Sequence, residues 1–433
     1  MIQEELIHYL WQTQQFDKKD LQVVSGEELQ VMKVGHPNKG AGPDFLHSTI
    51  LLNSVSWRGD IEIHKRSSDW YAHKHAEDKR YNSVILHVVW EDNQPVLRAD
   101  GTKVPTLTLK DRVDPALLTT YQKMMKGQEQ IPCSRYFAQV PDDIREKMLE
   151  KALFQRFKQR YRFVEKLLRK NNQDTETTTY QLLGYNFGFK VNSEPFLSLV
   201  EHVPFELLRQ HRPNLLYLEA ILLGQAGLLK VSEKEKKDLG GYEKALIEAY
   251  TYLKRKHGLE AMANPYAWNF FRLRPANFPT IRITQFARLI HAYPNLFSLL
   301  VNHPPTQLKR HLAIQQSSYW QTHYQLGKKS DRKIGGLGKS SIENILINTV
   351  VPLLVTYGKL RDNDFFIDKG ISLLRSLHAE DNVIIRKWHD LGFQPKDAFE
   401  SQASIELFTK FCQPKKCLSC GIGKHLLQKS CTT

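Results

Sequence analysis

Residues 83–90 read SVILHVVW. A run this short, this apolar and this rich in β-branched residues predicts a strand buried on both faces of its sheet. Such a strand needs a layer of structure on each side, so the chain around it must supply helices as well as strands. The neighbouring segments fit. Residues 2–16 predict a helix, with Leu6, Leu10 and Phe16 partly on one face. Residues 28–34 and 55–64 alternate, residues 45–52 are rich in β formers, and residues 106–109 add a further strand. The polar stretch between His64 and Ser83 reads as a loop and a short helix. Helix, three strands, helical connection, buried strand: this order predicts an α/β domain with a mixed sheet.

From Asp142 onward the texture is helical, punctuated by proline and glycine, with no clean repeat and no low-complexity tract. We therefore divide the chain into an α/β domain over 1–115, a linker over 116–140, a mainly α-helical domain over 141–405 and a Cys-rich segment over 406–433. No window of about 18 apolar residues is present, so no membrane-spanning helix is expected. The N-terminus carries early acids and no basic stretch, and reads as an amphipathic helix and not as a signal peptide. A soluble, cytoplasmic protein is expected. Lysine and arginine total 61 against 46 acids, a formal charge of +15. That excess favours a polyanion, with nucleic acid the leading partner.

The densest chemical signal is Asp60-Ile61-Glu62-Ile63-His64. Side chains on a strand alternate, so Asp60, Glu62 and His64 share one face and the isoleucines the other. Asn53-Ser54 is suited to a two-residue hairpin turn, which sets Leu52 opposite Val55. A regular ladder then puts Asp44 opposite Ile63, on the isoleucine side. A bulge, for instance at Gly59, shifts the pairing by one and brings Asp44 to the face of Glu62 and His64. Lys65, His73, His75 and Asp78 follow shortly after. Carboxylates and imidazole converging at a strand edge suit Mg²⁺ or Mn²⁺, which can activate water against a phosphate. The plainer reading is a solvated strand face over core isoleucines.

Gly42-Pro43-Asp44, then Glu62-Ile63-His64 on the next strand after an N-terminal helix, resembles the PD-(D/E)XK nuclease superfamily over about the first 95 residues. The resemblance implies a restriction-endonuclease-like mixed sheet and a divalent-metal-dependent nuclease, with DNA the favoured substrate. It implies that Asp44 and Glu62 hold the metal and that His64 or Lys65 assists the attacking water; the shared strand face adds Asp60 as a further candidate ligand. His64 stands at the superfamily's lysine position. The alternative is a non-catalytic nucleic-acid- or protein-binding module on a decayed nuclease core. More broadly, GAGPDF, GDIEIHKRSSDWYAHKHAEDKRYNSVILHVV, RLRPANFPTIR and the terminal cysteines resemble an uncharacterised bacterial family, domain of unknown function 2851.

Three further motifs carry chemistry. Cys412, Cys417 and Cys420 have metal-like spacing, with Cys133, Cys431 or His425 as a fourth ligand for Zn²⁺ or an iron–sulfur cluster. Some PD-(D/E)XK nucleases bind such a cluster with one remote and three C-terminal cysteines, but Cys133 follows the nuclease-like core where theirs precedes it. Gly335-Gly336-Leu337-Gly338-Lys339-Ser340 is not a phosphate-binding P-loop, because Lys333 stands where its first glycine must be. It reads as a turn capping a helix from Ser340. Arg272, Arg274 and Arg282, interleaved with Phe278, are candidates for nucleic-acid contact.

Overall fold

The computed structural model describes residues 2–230, 239–260 and 268–429. The chain forms two compact units: residues 1–151, 387–393 and 405–433, and residues 152–386 and 394–404.

The first unit is built on a six-stranded mixed sheet. Its strands are β1 (Leu29–Lys33), β2 (His36–Pro37), β3 (Phe45–Leu52), β4 (Val55–Arg66), β5 (Val84–Glu91) and β6 (Thr106–Thr108), in the order β1-β3-β4-β5-β6 with β2 beside β3. The hairpin side is antiparallel, whereas β4–β5 and β5–β6 are parallel. Parallel β4 and β5 require a crossover, and the polar segment between them supplies it. That segment opens with α2 (Asp69–Ala72) and continues in short 3₁₀ turns. β5 is buried from Val84 to Val89, as its apolar run requires. β4 continues two residues beyond its expected end, to Arg66.

Helix α1 (Glu4–Thr13) packs on β4 and β5. It buries Leu6, Ile7, Leu10 and Trp11, and Ile61 and Ile63 of β4 are equally inaccessible. Each such side chain contributes roughly 1.5–3 kcal/mol by leaving water. A second core joins Trp70 and Tyr81 of the crossover to Val84, Val96 and Val104. Two hydrophobic anchors, α1 and Trp70, therefore hold the polar residues of β4 between them.

The second unit is mainly helical. Thr175–Phe187 pairs with Ser193–His202, Leu215–Gln225 with Gly241–His257 and Pro279–Ala292, and Val351–Leu360 with Asp364–Arg375. The glycine-rich turn caps a helix, Lys339–Ile345, with Gly338 at its N-cap. Among the described residues no helix is long and apolar enough to cross a membrane.

Candidate metal centre

The β3–β4 hairpin turns at Asn53 and Ser54, whose φ angles are 46° and 67°. Positive φ at both central residues matches the right-handed twist of the strands, and Leu52 faces Val55. Pairing is regular down to Ser48 opposite Gly59, after which Phe45 pairs with Ile61, a shift of one. The extra residue lies in β3: Leu46 and His47 stand against Asp60, with His47 at φ 58°. The bulge thus sits across from the position expected at Gly59. Gly59 is needed for another reason: a Cβ there would meet Ser83 O at 2.4 Å and Ile85 Cγ2 at 2.5 Å on the β5 side.

The shift carries Asp44 to Glu62. The Asp44 N–H donates to Glu62 Oε2 at 3.2 Å, and the Ile63 N–H donates to Asp44 Oδ2 at 3.0 Å. Gly42, at φ 108°, turns the chain into this position. His8 of α1 sets Nε2 3.5 Å from Asp44 Oδ2.

Four histidines complete the cluster. His64 Nδ1 lies 2.8 Å from His87 Nε2, and His64 Nε2 lies 3.0 Å from His73 Nδ1. His75 Nε2 lies 3.1 Å from Glu62 Oε1, and His64 Nε2 lies 3.5 Å from the same oxygen. His75 comes from the crossover, stacked on Tyr81 at 3.8 Å between ring centroids, with Trp70 against its edge. His73 is exposed at the end of α2, while Glu62 and His64 are 4 % and 1 % exposed. The cluster opens to solvent at His73 and is sealed at His87.

Burial governs its electrostatics. Desolvation first, then the Asp44 charge, pushes Glu62 up to about 9. Burial likewise raises Asp44, against the pull of His8 and the Ile63 N–H. Desolvation and the neighbouring imidazoles push His64 down to about 2, and desolvation pushes His87 down to about 3. A neutral imidazole is the form in which histidine binds a metal.

The ligand atoms of His64, His73 and His75 all lie within 4.8 Å of one another. A tetrahedral ion with ligands at about 2.0–2.1 Å holds them about 3.3 Å apart. The 3.0 Å, 3.1 Å and 3.5 Å separations among His64, His73, His75 and Glu62 bracket that value. The buried His75 Nε2 makes no hydrogen bond although a carboxylate oxygen stands beside it. The three imidazoles are close enough to share one divalent ion, with Glu62 Oε1 beside two of them and His87 behind His64.

Of the residues singled out in the sequence, Asp44, Glu62 and His64 converge. Asp60 does not join them: it accepts from the His47 N–H at 3.0 Å and the Ser83 hydroxyl at 2.6 Å. Lys65 is exposed and its charge acts on Glu4 of α1. Arg282 is buried in the second unit, where its guanidinium donates to Asn277, Gln285 and Ser341 and lies over Phe189. Arg272 and Arg274, by contrast, are exposed. Cys133, Cys412, Cys417 and Cys420 are buried free thiols, and Cys431 lies outside the described residues. His8 and His87 were missed, and His73 and His75 were noticed without a role. The His-x-His pair at 73 and 75 and a histidine inside an apolar strand were the available signals.

Residues 4–383 match the family described as "Protein of unknown function (DUF2851)". No curated protein and no solved structure matches the chain. Nothing in these comparisons bears on the nuclease resemblance. With a match that spans most of its length, the chain belongs to the DUF2851 family.

Proposed function

We propose that the cluster is a divalent-metal site and that the protein is a metal-dependent nuclease hydrolysing phosphodiester bonds in nucleic acid. The observation that carries this reading is the convergence of His64, His73 and His75, with Glu62 against His64 and His75 and beside Asp44, in one partly enclosed site. Three imidazoles shift the expected metal from Mg²⁺ toward Mn²⁺ or Zn²⁺, because nitrogen ligands suit transition metals. When bound, such an ion lowers the pKa of water and neutralises charge developing on a phosphate.

The chain's own residues have separable tasks. Glu62, His64, His73 and His75 are the ligands. Asp44 is a positioning residue: through the Ile63 N–H and its own N–H it fixes the strand that carries Glu62. His8, half-buried and 3.5 Å from Asp44, offers an imidazole that can move a proton between the site and solvent. Lys39, Lys65, Arg66, Lys74 and Lys79 are exposed on the segments that build the site, and favour a polyanionic substrate. The chemistry of phosphodiester cleavage fits a metal site open on one side and bordered by cations.

The experiment is a cleavage screen of the purified chain on single- and double-stranded DNA and RNA with Mn²⁺, Zn²⁺ or Mg²⁺. Cleavage that needs metal and is lost in Glu62→Gln supports the reading. Metal binding without cleavage of any of these substrates removes the nuclease assignment and leaves the metal site.

A further inference from the structure

Two motifs that the metal centre leaves unused meet in the second unit. The arginine-rich stretch contributes Leu273, Asn277 and Arg282 to the wall of a cavity of about 410 Å³, and the helix after the glycine-rich turn contributes Ser340, Ser341 and Asn344. Phe187, Phe189 and Phe196 line it from the helical pair Thr175–Phe187 and Ser193–His202 and the turn between them. Residues 378–382 complete the wall, and every lining residue belongs to the second unit. A volume of this size is usual for a small-molecule site.

The wall contains a buried cation without a counter-charge. Arg282 is 7 % exposed. Its Nη1 donates to Gln285 Oε1 at 2.9 Å, and its Nη2 donates to Asn277 Oδ1 at 2.6 Å and to Ser341 Oγ at 3.2 Å. All three partners are neutral. The Phe189 ring lies 4.2 Å from the guanidinium carbon, on a turn where Phe189 and Lys190 have φ 45° and 71°. Holding two such residues in the left-handed region costs the backbone free energy, and here it places a ring over the cation. Arg282 Nε is buried and has no hydrogen-bond partner among the described residues. Burial pulls the guanidinium down to about 10. The acids of the same wall are engaged elsewhere. Glu343 Oε1 lies 3.1 Å from Lys309 Nζ and 3.3 Å from His378 Nδ1, Asp381 lies 2.9 Å from Arg386, and Glu380 accepts from the Gln402 amide.

We propose that this cavity binds a small organic carboxylate, with Arg282 holding the carboxylate and Phe187, Phe189 and Phe196 enclosing an apolar or aromatic body. A buried charge is tolerated when it is paired and hydrogen-bonded, and an anionic group in the cavity supplies both to Arg282. The wall also selects between anions. A phosphate carries up to two charges and would face Glu343, Glu380 and Asp381 with one guanidinium to balance it. A single carboxylate is neutralised by Arg282 alone, so like-charge repulsion disfavours the phosphate. The phenylalanine rings favour a ligand with an apolar body over a bare ion.

The test is titration calorimetry of the full-length chain with 3-phenylpropionate and hexanoate, their uncharged amides, and inorganic phosphate. At least one of the two carboxylates should bind at one per chain, and at least about tenfold more tightly than its amide. Arg282→Met should lose that binding, and Ala379→Trp, which fills the cavity from its wall and leaves the guanidinium in place, should lose it too. Circular dichroism checks that both variants fold. If Arg282→Met fails to fold, the comparison of carboxylate with amide on the wild type and the Ala379→Trp variant still decide. No binding of either carboxylate at millimolar concentration, equal binding of the amide, tighter binding of phosphate, or undiminished binding in either folded variant overturns the proposal.

Discussion

Asp44 and Glu62 hold each other's strands: the Asp44 N–H donates to the Glu62 carboxylate at 3.2 Å, and the Ile63 N–H beside Glu62 donates to the Asp44 carboxylate at 3.0 Å. The pairing exists because one extra residue in β3 shifts the ladder. Two acids brought together in a buried place repel each other, and a cation would relieve both.

Burial of Glu62, with this repulsion added, has a pH signature in metal-free protein. Glu62, pushed up to about 9, keeps in the folded state a proton that the unfolded chain releases above about 4.5. Folded protein binds the extra proton, so this contribution is favourable at low pH and is lost as pH rises from about 4.5 to about 9. His64 and His87 act in the opposite sense. Their depressed values make stability fall as pH drops below about 6.5. Calorimetry in chelator should therefore show a maximum near pH 6.5, with a falling alkaline limb. In Glu62→Gln the alkaline limb should flatten, and stability at pH 7 should rise by about 1–3 kcal/mol. An unchanged alkaline limb in the variant would count against the buried carboxylate.

Metal binding should release that proton. The apparent affinity for Mn²⁺ should rise about tenfold per pH unit below about 9, because Glu62 must ionise to become a ligand. Titration calorimetry in buffers of different ionisation enthalpy would count about one proton. A pH-independent affinity would show that Glu62 is not a ligand.

His87 tests the support behind the ligands. It is fully buried, and its Nε2 lies 2.8 Å from the far nitrogen of His64. His87→Phe should weaken metal binding by about 10–100-fold without removing a ligand. His73→Ala, which removes an exposed ligand, should weaken it more while leaving the melting temperature nearly unchanged. Equal affinity in both variants and wild type would place the ion elsewhere.

Position 47 tests the bulge. His47 sits at φ 58°, a conformation that glycine adopts freely. His47→Gly should be neutral or stabilising by up to about 1 kcal/mol, whereas His47→Val should cost about 1–3 kcal/mol. Denaturant unfolding distinguishes them, and a valine variant as stable as glycine would contradict a bulge here.

Much of the sheet was legible because alternation and turn chemistry are local. Asn53-Ser54 specified the hairpin, and the isoleucines at 61 and 63 specified which face of β4 is core. That a bulge was needed to bring Asp44 to Glu62 followed from counting. Its place did not, because His47 carries no glycine signal for positive φ, and Gly59, which does suggest irregularity, serves the close approach of β4 to β5. The histidines were harder. His73 and His75 lie on an irregular crossover with no period to read, and His8 reaches the site only through the packing of α1 on the sheet. Asp60 shows the converse: its parity was right, but His47 and Ser83 claim its carboxylate.

The central claim is that Glu62, His64, His73 and His75 form one metal site that cleaves nucleic acid. The most direct measurement is Mn²⁺-dependent cleavage of a labelled nucleic acid by wild type and Glu62→Gln, with Mn²⁺ binding followed in the same samples. Loss of the ligand carboxylate should abolish Mn²⁺ binding at micromolar metal and lower cleavage by at least about 100-fold, while circular dichroism stays unchanged. Undiminished cleavage and Mn²⁺ binding in folded Glu62→Gln would contradict the account.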